Sequence, residues 1–137
     1  MEYGDYEISC DKARLDIAMI HDYLANQSYW AKGISRLDVS RSIENSLCFG
    51  LYDGPEMAGF ARVVTDYTRF AYLMDVFIRE DLRSQGLGRH LIDQIINFET
   101  LSTVNWLLAT QDAAGFYQKL GFTLATESGT YLRLARR

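Results

Sequence analysis

With 137 residues, 48% hydrophobic and 23% charged, the chain has the composition of one globular domain, 1–137, long enough to bury a core. A net charge of −4 and a pI near 5.1 argue against nucleic acid or an anionic membrane as the principal partner. No run approaches the roughly 18 consecutive apolar residues of a membrane helix. Cys10 and Cys48 are too few for a disulfide framework, and CxxC is absent. With an acidic start, MEYGDYEIS, that lacks a signal-peptide pattern, the expectation is a cytoplasmic protein with two reduced thiols and Cys48 in the core.

Taken in order, residues 3–8 read as a short strand, although Gly4 and Asp5 interrupt it. Ile17, Ile20 and Leu24 repeat at helical spacing, which predicts a helix over 16–27 capped by Asp16, with His21 and Asp22 facing solvent. A lone histidine without a His/Cys/Asp cluster predicts no metal. Residues 28–38 have no clean period. There Tyr29 and Trp30 either cap the core or line a pocket for an acceptor substrate. Asp38 is expected to cap a short helix carrying Val39 and Ile43.

Residues 47–52 and 57–65 read as strands joined by the turn Asp53-Gly54-Pro55-Glu56, and a second connection, 66–69, leads into a strand over 70–78. The stretch 71–100 organises the chain. An apolar strand, AYLMDVFI, runs into REDLRSQGLG, and then into a helix with Leu87, Leu91, Ile92, Ile95 and Ile96 on one face. Strand, glycine turn and helix together expose backbone N–H groups at a helix N-terminus, a site for phosphate. Glycine at 86 and 88 lets the backbone approach such a ligand closely. Arg79, Arg83 and Arg89 around one turn suit a small polyanion better than a nucleic acid. After the helix, residues 105–109 read as a short strand in βαβ order, hence parallel to 70–78. Residues 112–120 read as a helix with Asp112 as N-cap and Gly121 as stop. Residues 122–125 and 131–135 read as closing strands.

Residues 78–88, Ile-Arg-Glu-Asp-Leu-Arg-Ser-Gln-Gly-Leu-Gly, resemble motif A of the GNAT N-acetyltransferases, V-x-P-x-x-[RQ]-G-x-G-x-[GA]. Glu80 stands where the pattern has proline and Ser84 where it has its first glycine. Residues 110–122, TQDAAGFYQKLGF, resemble motif B of the same family through Ala113, Phe116, Tyr117, Lys119, Gly121 and Phe122. Thr110 replaces the usual asparagine. Together the motifs cover about residues 70–125. They imply an α/β GNAT acyl-CoA N-acyltransferase fold: a mixed, mostly antiparallel sheet of about seven strands with flanking helices.

The resemblance further implies acetyl coenzyme A as cosubstrate and a primary amine of a small molecule, amino acid or protein as acceptor. The amides of Ser84, Gln85, Gly86, Leu87, Gly88 and Arg89 would cradle the pyrophosphate, with Arg83 and Arg89 adding charge-assisted bonds. The strands at 70–78 and 105–109 would splay, opened by a β-bulge near Asp75–Val76, so that Val76, Phe77 and Ile78 bond the pantetheine arm. Thr110 and Phe116 would complete the cofactor site. Tyr117 is the candidate acid for the leaving thiolate and the Phe77 amide the oxyanion donor. Asp75, the only carboxylate in the central strand, is either the base or a structural acceptor for a neighbouring loop. Two copies pairing through the closing strands, Tyr131 and Trp106 is a further expectation. A coenzyme A-binding sensor without catalysis is the alternative in another class.

Overall fold

A computed structural model of the chain describes residues 2–125, 129 and 131–136. Its centre is a six-stranded sheet in sequential order: β1 (Glu2–Tyr3), β2 (Tyr6–Ser9), β3 (Leu47–Asp53), β4 (Glu56–Thr65), β5 (Phe70–Ile78) and β6 (Asn105–Leu107). Neighbours from β1 to β5 are antiparallel, and β6 runs parallel to β5. The expected first strand is thus two, folded back at Gly4, whose φ of 59° suits a residue without a Cβ.

Among the described residues four α-helices cover both faces: α1 (Ile17–Asp22), α2 (Arg36–Glu44), α3 (Leu87–Ile96) and α4 (Ala114–Gln118). Asp16 caps α1 by accepting from the Met19 amide, as expected. Past Asp22 the helix widens into a π turn, Tyr23–Gln27. His21 is half-buried, its Nε2 3.0 Å from the Ile34 carbonyl, so it ties down a loop where solvent exposure was expected. Ser35, not Asp38, caps α2; Asp38 sits in the first turn and donates its amide to the Ser35 hydroxyl at 3.0 Å. Either oxygen suits that position, and the chain chose the earlier one.

Two apolar layers sandwich the sheet. On one face Phe49, Leu51, Ala61 and Val63 meet Leu87, Leu91, Ile92 and Ile95 of α3. On the other, Cys48, Tyr52, Met57, Phe60 and Phe77 meet Ile20 and Leu24, with Val39 and Ile43 of α2. Burying both faces explains why β3 and β4 read as almost unbroken apolar runs. Cys48 is buried as expected, and burial pushes its thiol up to about 11.

The expected bulge is present. Phe60 faces Phe77 and Arg62 faces Met74, so β5 spends three steps where β4 spends two. The extra residue changes sides: Ala71 and Leu73 pack toward α3, but Phe77 packs toward α1 and α2. Asp75 takes the strain, with φ at 56°.

The end of the chain departs from expectation. β6 stops at Leu107, and neither 122–125 nor 131–135 forms a strand; Leu132 and Leu134 stand exposed. Without ladder partners these short segments carry no strand of their own. The expected turn at Glu127, Ser128 and Thr130, and Arg137 of the tail, lie outside the described residues.

Candidate active site

β5 ends at Ile78, passes through a 3-10 turn at Glu80–Leu82 and wraps into α3 through Ser84 (φ 67°) and Gly86 (φ 81°). Ser84 therefore adopts the left-handed shape of the glycine it replaces, at a local cost of about 1–2 kcal/mol. The His90 amide closes on the Gly86 carbonyl at 3.0 Å, while the amides from Ser84 to Arg89 make no backbone hydrogen bond. They are free donors at a helix start of ten residues. A Cβ on Gly88 would stand 3.7 Å from Ile78 and 3.9 Å from the Phe116 ring, so Phe116 lies beside this loop. Leu87 contributes its amide here while its side chain is buried in the core.

The three arginines divide their work. Arg79 is engaged by Asp81 at 2.7 Å and by Glu56 at 3.6 Å, which removes it from the expected anion cluster. Exposed Arg83 donates Nε to the Ile78 carbonyl at 3.0 Å, folding its guanidinium over the strand end. Arg89 is exposed, with Asp93 3.9 Å away.

Beyond the loop the sheet opens. β6 pairs with β5 only from Phe70 to Tyr72, so among the described residues the rest of β5 has no strand on that side. The Arg79 amide bonds the Ala58 carbonyl of β4 at 2.8 Å. By the alternation of an extended strand, the Phe77 amide faces β4 as well, and those of Val76 and Ile78 face the gap. The amide of Phe77, the expected oxyanion donor, is therefore turned toward β4, whereas that of Val76 faces the gap.

A cavity of about 370 Å³ occupies the gap, walled by Trp30, Tyr29, Asp75, Val76, Leu108 and Tyr117 among others. The expected acceptor pocket and the expected catalytic pair thus share one space. Asp75 is 8% exposed, and both its oxygens are engaged. Oδ2 accepts from Arg62 Nε at 2.8 Å and Oδ1 from the Trp30 indole N–H at 2.9 Å. Arg62 also donates to the Ser46 hydroxyl at 3.0 Å and lies 3.2 Å from the Met74 sulfur. The two expected roles of Asp75 are not equivalent here, since no oxygen is left without a partner.

Tyr117, half-buried, stands between this cavity and a larger groove of about 1070 Å³ running past Trp106 toward residues 131–134. Burial first, then the nearby Tyr29 and Asp112, push its phenol up to about 12. Phe116, expected in the cofactor site, is the more exposed of the two at 38%. The Thr110 hydroxyl accepts from the Ala113 amide at 3.1 Å, just ahead of α4, and the side-chain cap expected of Asp112 is not made. The residue that sequence reasoning missed is Arg62. A guanidinium inside MAGFARVVT, one strand away from the lone carboxylate, was the available signal.

Among the described residues no three His, Cys, Asp or Glu side chains gather as a metal site. Comparison with known proteins agrees with the geometry. The family model described as "Acetyltransferase (GNAT) domain" matches residues 44–124. A Gibberella zeae protein carrying an inferred acetyltransferase name is 33% identical over 69% of this chain and 63% of its own length, so the chain spans somewhat less than two thirds of that relative. A peptidyl-lysine N-acetyltransferase of Salmonella typhimurium is 29% identical over 84% of this chain and 74% of its own. A crystal structure from Xanthomonas campestris pv. campestris, assigned to the same family, superposes with a TM-score of 0.91 at 36% identity, covering 98% of this chain and 94% of that one.

Proposed function

The chain belongs to the GNAT family of acetyltransferases, and from that premise we propose that it moves acetyl from acetyl coenzyme A to a primary amine by direct attack in a ternary complex. The observation that carries this is the open edge of β5 beyond Tyr72, leading from the free amides of residues 84–89 to a cavity holding Tyr117.

The residues present fit that cosubstrate. Free amides at a helix start, with Arg83 and Arg89 beside them, suit a pyrophosphate. The gap-facing amides of Val76 and Ile78 suit an arm that pairs as an added strand. Bound acetyl coenzyme A supplies an electrophilic thioester carbonyl. Val76 then offers its N–H to negative charge developing on that carbonyl oxygen. Tyr117 stays protonated throughout the physiological range. A phenol near 12 is a weaker acid than a thiol near 8.5, so Tyr117 acts by hydrogen-bonding the departing sulfur more than by surrendering its proton outright. Asp75 serves as an anchor for Trp30, because Arg62 and the indole occupy both its oxygens. Water in the cavity takes the proton of the amine.

The acceptor class is a small amine, an amino acid or a protein amine; the name of the Salmonella relative supports a peptidyl lysine as one member of that class. Acetyl coenzyme A at about 100 times its dissociation constant should raise stability by roughly 2.7 kcal/mol. Gly86→Glu, which puts a side chain and a like charge into the cradle, should remove that rise. Thiol release over a panel of amines completes the test. Binding without turnover on any amine would support the sensor alternative, and no stabilisation at all would sink both readings.

A further inference from the structure

Tyr29 and Trp30 are adjacent in sequence, yet they bond opposite sides of the gap. Trp30 donates its indole N–H to Asp75 of β5 at 2.9 Å. The Tyr29 hydroxyl accepts the Gln111 amide, 82 residues away, at 2.8 Å, in the segment that follows β6. The two rings meet edge to face at 5.0 Å, so the dipeptide spans the opening as one unit.

Its two ends differ in strength. The Trp30 end is charge-assisted: although the ring is 41% exposed, its acceptor is a buried carboxylate held from behind by Arg62. The Tyr29 end is a single neutral bond between exposed groups, with Tyr29 43% exposed. Both rings wall the cavity that also holds Tyr117.

We propose that Tyr29–Trp30 is a clasp across the gap, fixed at Trp30 and releasable at Tyr29, which determines the size of amine admitted; this rests on the acetyl-transfer function proposed above. Closed, the clasp leaves a small cavity that takes a slender amine. A peptide lysine enters only when the Tyr29–Gln111 bond parts. Tyr29 is therefore a specificity-determining residue, and Arg62 a positioning residue that acts on Trp30 through Asp75.

Tyr29→Phe keeps the ring and removes only the acceptor oxygen. In the free full-length protein, exchange of the Gln111 amide should quicken about tenfold, with the melting temperature unchanged. Thiol release is then compared for n-butylamine and for an N-terminally blocked peptide containing one lysine. The ratio of kcat/KM, peptide over butylamine, should rise several-fold in Tyr29→Phe. Trp30→Phe, which frees the fixed end, should raise KM for both amines while leaving that for acetyl coenzyme A in place. An unchanged ratio in Tyr29→Phe, or unchanged exchange at Gln111, overturns the clasp even if the wild type turns over normally. Thiol release by the wild type with neither amine, nor with any of the wider panel, instead overturns acetyl transfer itself, and acceptor gating falls with it.

Discussion

The two lips of the gap are built differently. The β5 lip is paired along its length with β4, backed by Phe77 stacked on Tyr23 at 4.2 Å, and pinned by the Arg62–Asp75 ion pair at 2.8 Å. The opposite lip, residues 108–118, leaves the sheet at Leu107 and is held by a few side-chain bonds: Tyr29 to Gln111, Thr110 to Ala113, and the Tyr117 ring against Phe122. One lip is a template and the other an adjustable wall. Strand pairing gives the first a geometry that no single side chain decides, whereas the second depends on individual hydroxyls.

The largest effect should come from breaking the template. Asp75→Ala leaves the Arg62 guanidinium, 12% exposed, without its carboxylate. Removing one partner of a buried pair costs roughly 3–5 kcal/mol. Urea denaturation should show that loss, and Asp75→Asn, which keeps an acceptor for Trp30, should lose less. A cost below about 1 kcal/mol would mean that the bulge stands without its pin.

On the adjustable wall the effect should fall on rate instead. Tyr117→Phe keeps the ring and should leave stability nearly untouched, while thiol release drops roughly 10- to 1,000-fold, within the range of a positioned proton donor. Because the phenol is pushed up to about 12, the wild-type rate should show no falling limb from this group below about pH 11. A limb near pH 9 that vanishes in the variant would place the phenol in a more polar setting than its burial implies.

Alkaline titration sharpens the contrast. Cys48, in the layer behind the β5 lip, has its thiol raised from 9.0 to about 11. The folded state holds that proton after the unfolded chain has released it. Stability is therefore full below pH 9 and falls through the window from 9 to 11, by up to about 2.7 kcal/mol. Tyr117 contributes in the same direction only from pH 10 upward. Cys48→Ala, whatever it costs at neutral pH, should lessen the pH dependence between 9 and 10, the remainder coming from Cys10, whose thiol burial also raises; an unchanged slope there would assign it to other groups.

The smallest effect belongs to Thr110→Ala. Losing this one hydrogen bond ahead of α4 should cost about 1 kcal/mol, seen as faster amide exchange at Ala113 with little change in global unfolding. Unaltered exchange at that amide would show that the entry to α4 is held by Tyr117 and not by this bond.

What was legible from sequence follows the same division. The hairpin of β3 and β4, the helix α3 and the turn between β5 and α3 announce themselves because their signals are local: turn residues, period and glycine. Asp75 was conspicuous as a carboxylate in an apolar strand, and the family resemblance implied a bulge near Asp75–Val76. Its partner was not legible, since Arg62 meets it only through a strand register that sequence leaves open. The Tyr29–Gln111 bond joins residues 82 apart and has no local signature at all. Asp112 had the composition of a cap, but the path of the chain puts Ala113 at the start of α4 and leaves that helix without a side-chain cap. The two closing segments have strand-like composition, but a ladder needs a partner, and composition does not supply one.

The extra residue at Asp75 also acts as a half-period phase shift in the strand. Every side chain downstream of it is inverted relative to what an uninterrupted count would give. Removing one codon at position 75 would therefore take out the carboxylate and the left-handed step together. Phe77 would stay opposite Phe60 and Ile78 opposite Gly59, because the ladder beyond the bulge already runs in register with β4, while Trp30 would lose its anchor. Insertion of a single residue thus adds a buried carboxylate to the strand without disturbing the pairing on either side of it.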